Sequence, residues 1–341
     1  MNKEYVCDFA KKLLQIDSPT GYTKKAIAYV EEEAKRLGYE TKRNNKGNLW
    51  IYVNGKSKEK TIGLCAHCDT LGLMVRSIKS DGKLALTNLG GPIIPTLDGE
   101  YCRIYTRDGN VYTGTILSTS PATHVYKDAS TKVRDIDNIE VRIDEVVYAK
   151  EDTEKLGIQN GDIVAIDPKV QITESGFIKS RFLDDKISAS ALMGVLYELK
   201  QKNITPSYNL IFMMSTYEEV GHGMAHIPSE ISELLAVDMG CIGLDLACTE
   251  QQVSICAKDS SGPYDYDFTT HLITLAKENN INFAVDIYPM YGSDVSAARS
   301  AGNDVKGALI GPGVHASHGM ERTHIDGVME TMKLILAYIC A

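Results

Sequence analysis

No apolar run in the 341-residue sequence approaches the roughly 20 residues that a membrane-spanning helix needs. The N-terminal stretch MNKEYVCDFAKKLL has no apolar h-region of the secretory kind. Its Val6, Phe9, Ala10, Leu13 and Leu14 instead recur at helical spacing. No membrane partner is therefore expected, and the expected location is the cytoplasm. Positive charge is also in short supply. Lys and Arg number 36 against 45 Asp and Glu, a net charge of -9, which argues against a nucleic-acid partner because phosphate binding needs clustered cations. Repeats and low-complexity segments are absent. The eight cysteines (Cys7, Cys65, Cys68, Cys102, Cys241, Cys248, Cys256 and Cys340) are scattered, and in a chain this long they read as reduced, mostly buried residues rather than a disulfide framework. What remains is an ordinary globular composition, 43% hydrophobic and 24% charged, with enough chain for one large or two ordinary domains.

Helix and strand patterns alternate at the start. Ile27, Val30, Ala34 and Leu37 form an apolar helical stripe that Gly38 stops. Residues 49–53 and 62–67 read as strands, the second apolar enough to be central. From about residue 73 to 168 the texture changes. Short β-prone runs alternate with turn signals at Ser80-Asp81-Gly82, Arg107-Asp108-Gly109 and Gln159-Asn160-Gly161, with no long helix, which predicts a small inserted β-barrel or sandwich. Afterwards the alternation resumes: a helix through Leu192, Val195, Leu196 and Leu199, strands at 209–215, 234–237, 283–287 and 305–310, and helices at 264–278 and 326–340. The expected fold is α/β, a three-layer α/β/α sandwich built from residues 1–72 and 169–341, interrupted by a β domain at 73–168.

Ionisable residues recur where the strands end. Cys65-Ala66-His67-Cys68-Asp69 closes one strand, Tyr217-Glu218-Glu219-Val220-Gly221 a second and Val237-Asp238 a third. Leu183-Asp184-Asp185-Lys186 precedes a helix, and residues 315–324, with three histidines, follow a fourth strand. Open α/β sheets bind ligands beyond the carboxyl ends of their strands. Clusters of His, Asp and Glu converging there match the nitrogen and oxygen donors of a zinc-like centre. Taken singly, each has an ordinary explanation. His67 suits a satisfied histidine near a strand end, Glu218-Glu219 a solvated acidic pair, and Asp184-Asp185 a helix N-cap. Their conjunction, in order and at the strand exits, carries the case.

The ordered set resembles metallopeptidase family forty-two, the tetrahedral and glutamyl aminopeptidases, over nearly the whole chain. Ala66-His67-Cys68-Asp69-Thr70-Leu71-Gly72 resembles the family's A-H-x-D-x-x-G, Leu183-Asp184-Asp185 its L-D-[DN]-R, Glu218-Glu219-Val220-Gly221 its E-E-V-G, and Gly292-Ser293-Asp294 its G-T-D. Residues 121–124 and 156–162 of the insert resemble family signatures too. The resemblance implies a zinc-exopeptidase type of fold and an aminopeptidase that uses two divalent ions, zinc or cobalt, to remove the N-terminal residue of short peptides. Asp184 would bridge the ions, with His67 and Asp238 completing one site and Glu219 and His318 the other. Asp69 would hold the outer nitrogen of His67. Glu218 would be the general base, taking a proton from the water between the metals and returning it to the leaving amine. A cis peptide bond is implied between Asp184 and Asp185. The β insert would form dimers, and dimers a hollow dodecamer with inward-facing sites.

The sequence departs from the family pattern twice. Lys186 stands where the family usually has Arg. The last ligand segment runs His315-Ala316-Ser317-His318-Gly319-Met320-Glu321-Arg322-Thr323-His324 in place of H-[ST]-x-x-E. It resembles a variant branch, S-H-G-x-E-R-T-H, which selects His318, with His315 as the runner-up and Arg322 and His324 as candidates for shaping the substrate pocket. Other motifs carry less. Cys65 and Cys68, an odd spacing apart on a strand, face opposite sides and do not form a redox pair. His222 and His226 suit a loop, and His124 and His271 have no catalytic reading. Trp50 and the tyrosines read as core or interface. Three other functions compete: a two-metal deacylase of small amino-acid conjugates, a glycosidase using Glu218 and Glu219, and a non-enzymatic assembly protein. The glycosidase is disfavoured because adjacent residues on an extended segment point apart, whereas its carboxylates must flank one bond at about 5–9.5 Å.

Overall fold

A computed structural model describes residues 1–341. The chain divides into two compact units, Met1–Asp69 with Lys169–Ala341, and Thr70–Pro168. The second begins at Thr70 rather than at residue 73, because its first strand, Gly72–Ile78, already pairs at Gly72 with Leu89.

The larger unit is organised by a ten-stranded mixed sheet. Its centre is parallel: Ser57–His67 lies between Tyr208–Ser215 and Ile231–Val237, and Lys306–Val314 follows on the far side of Ile231–Val237. Leu49–Val53 and Val253–Asp259 flank this core antiparallel. The central strands are apolar on both faces, and their side chains alternate strictly between two cores. Leu64, Phe212 and Leu235 enter one; Cys65, Met213 and Leu234 enter the other. The first core is thick, because helices Lys3–Leu14, Lys24–Arg36, Leu183–Gln201, Tyr266–Glu278 and Ile325–Cys340 all bury apolar residues in it. The opposite face carries one short helix, Asp294–Ser300, which inserts Val295 and Ala298, together with Met224 and Ile227 from a loop. The sandwich is thus present with unequal outer layers. Cys65 and Cys68 lie in the two different cores, as their odd spacing predicts, and all eight cysteines are free.

The smaller unit is a closed six-stranded antiparallel barrel. The predicted turns fall where expected: Gly82, Gly109 and Gly161 all take φ near +85°, a conformation that glycine alone adopts without steric cost (φ 82°, 88° and 88°). No helix of the protein is long and apolar enough to cross a membrane.

Candidate metal centre

The parallel register sets the site. Ser215 pairs with His67, and Val237 with Ile310, so His67, Glu218 and Asp238 emerge together at the carboxyl ends of adjacent strands. Asp184 arrives from the start of the Leu183–Gln201 helix. There the chain leaves helical geometry at Asp184 and Asp185, and the peptide bond between them is cis. The regular helix begins only after Asp185, and one oxygen of the Asp185 carboxylate accepts the His67 N–H at 3.2 Å. His318 comes from a tight loop. His315 and Arg322 exchange backbone hydrogen bonds, and between them Ala316 and His318 take left-handed backbone conformations (φ 61° and 64°).

His67 is 1% exposed and sits at the centre. Its Nε2 lies 3.0 Å from Asp184 Oδ1 and 3.7 Å from Glu218 Oε2. Asp184 Oδ2, on the other side, lies 3.6 Å from His318 Nε2, which is itself 3.9 Å from Glu219 Oε2. One carboxylate therefore faces both imidazoles. Donor atoms of His67, Glu218 and Asp238 form one ligand-sized group, and those of His67, Asp184 and Glu219 a second. Neither His315 nor His318 belongs to either group, but only His318 has its ring beside Asp184 and Glu219, whereas the His315 backbone is tied to Arg322. His222 lies in a loop, where its ring stacks on Tyr217, and His226 sits against Trp50.

Asp69 behaves differently from the expectation. The outer nitrogen of His67, Nδ1, does meet Asp69, but at the backbone carbonyl, 2.8 Å away, while the carboxylate stays 3.7 Å off. A carbonyl only accepts, so Nδ1 donates to it, and Nε2 is left as the ring atom that faces Asp184 and any cation held there. The Asp69 carboxylate, fully buried, accepts from the N–H groups of Glu218 (3.1 Å) and Glu219 (3.3 Å) and from the Thr20 hydroxyl (2.7 Å). Glu218–Val220 is consequently a single 3₁₀ turn and not an extended segment, and both glutamate side chains reach the same centre. The argument that adjacent glutamates must point apart fails on this turn.

Sequence reasoning also passed over Glu321. It is 1% exposed; Oε2 accepts the N–H of Asp184 and Oε1 that of His318, each at 3.1 Å. Asp294, recognised only as part of a motif, is buried and accepts from the Ser215 hydroxyl and the Met224 N–H. Lys186, in the place of an arginine, is buried and gives its ammonium to the Ile16 carbonyl at 2.6 Å; burial lowers it to about 8.

Carboxylates far outnumber cations here. Burial, with the charge of Asp184 added, pushes Asp238 up to about 7. Burial likewise holds Glu218 and Glu219 well above the usual carboxylate range, although His67 pulls both down. Burial alone would depress His67, but the hydrogen bond to Asp184 and the charges of Glu218 and Asp238 outweigh it and hold the imidazolium well above its ordinary value. Glu219 Oε1 and Asp185 Oδ1 are buried with no hydrogen-bond partner. Unpartnered carboxylate oxygens in so acidic a cavity are costly without a cation. The donor set, imidazole nitrogen and carboxylate oxygen, fits divalent ions of the zinc and cobalt type.

A mixed α/β sheet with this acidic, histidine-bearing cluster at its carboxyl edge defines a metal-dependent hydrolase of the exopeptidase kind. The chain belongs to the M42 glutamyl aminopeptidase family, whose profile matches residues 47–334, and is a metal-dependent aminopeptidase. It is 47% identical over 333 residues to the Bacillus subtilis (strain 168) protein named "Putative aminopeptidase YhfE", covering 97% of this chain and 96% of that one. Its fold resembles that of a TET aminopeptidase from a marine sediment Thaumarchaeota archaeon, with a TM-score of 0.88, 18% identity, and 98% and 96% of the two chains covered. It also resembles the Pyrococcus horikoshii TET1 peptidase, described as assembling into a tetrahedron or a large octahedral shell, with a TM-score of 0.86, 23% identity, and 98% and 99% covered.

Proposed function

We propose that the protein removes the N-terminal residue from short peptides with two divalent ions, zinc or cobalt, held by His67, Asp184, Glu219, Asp238 and His318, and with Glu218 as general base. The observation that carries this reading is Asp184, one carboxylate with an oxygen toward each imidazole. Bound at these residues, the ions would acidify the attacking water and polarise the scissile carbonyl. Glu218 takes the proton from that water and delivers it to the leaving amine. Distance alone does not separate Glu218 from the ligands, since it falls in a ligand-sized group with His67 and Asp238. Exposure favours it as the base: its side chain keeps 14% of its surface open, where solvent and substrate enter, against 5% for Glu219. Asp69 fixes the turn that aims both glutamates and, through its carbonyl, the tautomer of His67.

Chelation followed by reloading tests this reading. Metal-free enzyme should lose hydrolysis of aminoacyl chromogenic substrates and regain it with zinc, cobalt or manganese. The free amine should be essential, so an N-acetylated peptide should be refused. Comparable turnover of acetylated substrate would point instead to a deacylase, and indifference to the chelator would dismiss the metal chemistry altogether.

Our reading also includes a cytoplasmic, oligomeric enzyme. The eight free cysteines suit a reducing compartment. Tyr101, Val125, Val133, Val146 and Tyr148 of the barrel unit are largely exposed, which favours dimerisation through it, and the assembly of the structurally similar Pyrococcus horikoshii TET1 peptidase into a tetrahedron extends the idea to a closed shell. Sedimentation with and without divalent metal is expected to show a dimer or a larger closed species. A monomer at micromolar concentration in both conditions would refute assembly, and a metal-independent dimer would leave only the dimer standing.

A further inference from the structure

Glu321 is tied to the site by direct geometry. The strand Glu321–His324 pairs antiparallel with Phe177–Ser180, with Ser180 opposite Glu321. That register delivers the chain immediately after Ser180, residues 181–184, to the Glu321 carboxylate. Its two oxygens then take backbone N–H groups from two distant segments, Asp184 and His318, with a further backbone hydrogen bond from Leu183. The side chain does not itself belong to either ligand-sized group. Both tethered residues are proposed ligands of the same ion, and one of them, His318, stands on left-handed backbone in a short loop closed by the His315–Arg322 backbone pair.

We infer that Glu321 is a positioning residue: its carboxylate spans Asp184 and His318 and sets the distance between the two side chains that enclose one metal ion. This rests on the metal assignment proposed above. A carboxylate suits the task because each of its two oxygens accepts one of the converging N–H groups. An amide of the same shape would turn an NH₂ toward one of them, replacing an attraction with a donor–donor contact. Partners that orient ligands typically change metal affinity by about 10–100-fold when removed.

The test is a zinc titration of metal-free protein by calorimetry, with the visible spectrum of the cobalt form as a second readout. Wild type should take up two ions, and His318→Ala should lose or greatly weaken one of them. Glu321→Gln should weaken that same ion by about 10–100-fold, alter the cobalt absorption of that equivalent, and leave the ion held by His67 and Asp238 less affected. Glu321→Asp keeps the charge but shortens the reach by one methylene; it should show the same selective loss and serves if the glutamine variant does not fold. Wild-type binding of both ions by the Glu321 variants would overturn the inference while leaving the metal assignment intact. Equal weakening of both ions together with a lowered melting temperature of the metal-free protein would also overturn it, by reducing Glu321 to a structural residue. A wild type that does not bind two ions, or a His318→Ala variant that still does, would remove the metal assignment and this inference with it.

Discussion

Glu218→Gln is expected to keep both metal ions and to lose about 10²–10⁴-fold in turnover. The amide preserves the length and hydrogen-bonding shape of the side chain but cannot carry the proton from water to the leaving amine. Its backbone N–H remains bound to Asp69, so the turn that aims it should persist. Glu219→Gln supplies the contrast. Its side chain is nearly closed off from solvent and has a buried oxygen without a hydrogen-bond partner, so its loss should appear in metal affinity before it appears in the turnover of fully loaded enzyme. Measuring metal content and turnover on both variants separates the roles. If the glutamine at 218 sheds metal and that at 219 keeps metal but stops turning over, the assignments of base and ligand must be exchanged.

The strand order of the central sheet was not legible in the sequence, but its strands were. Residues 62–66 and 210–214 carry no charged or hydrogen-bonding side chain, and such runs are stable only where both faces are covered, which places them in the middle of a sheet. The positions of His67, Glu218 and Asp238 at strand exits follow from the same pattern. What was hidden depends on side-chain direction and long-range register. A carboxylate two residues after a histidine suggests that one orients the other. Whether the imidazole meets the Asp69 side chain or its carbonyl is decided by residues 218 and 219, whose N–H groups claim the carboxylate. The 3₁₀ turn at Glu218–Val220 carries no periodic signal, because three residues are too few for one. Glu321 is the clearest case. Its partner at Asp184 is 137 positions away, and the pairing of Ser180 with Glu321 that joins them involves a four-residue strand of mixed polarity. The thin second helical layer escaped for a related reason. The loops that cover Cys65, Met213 and Leu234 have no amphipathic pattern to announce which face they protect.

Asp184→Asn is expected to have the larger effect on metal binding, because it strikes both ions at once. Asp184 Oδ1 faces His67 and Oδ2 faces His318, so one carboxylate meets both rings. An asparagine keeps the volume and one acceptor oxygen. It replaces the second oxygen with a donor and removes the negative charge that two dications would share. Loss of either ligand half alone should exceed the roughly 10–100-fold cost of removing an orienting partner, so the affinity for each ion should fall by at least about 10²-fold and hydrolysis should drop to background at ordinary metal concentrations. Raising the metal concentration should rescue Glu219→Gln more readily than Asp184→Asn, since the former loses a ligand of one ion only. A metal-loaded structure of the wild type gives the direct check: two ions roughly 3.5–4 Å apart, with Asp184 in contact with both. Ions bound with Asp184 touching neither, or an Asp184→Asn enzyme that still takes up two ions with wild-type affinity, would show that the carboxylate facing both histidines is there to hold protonated imidazoles rather than metal.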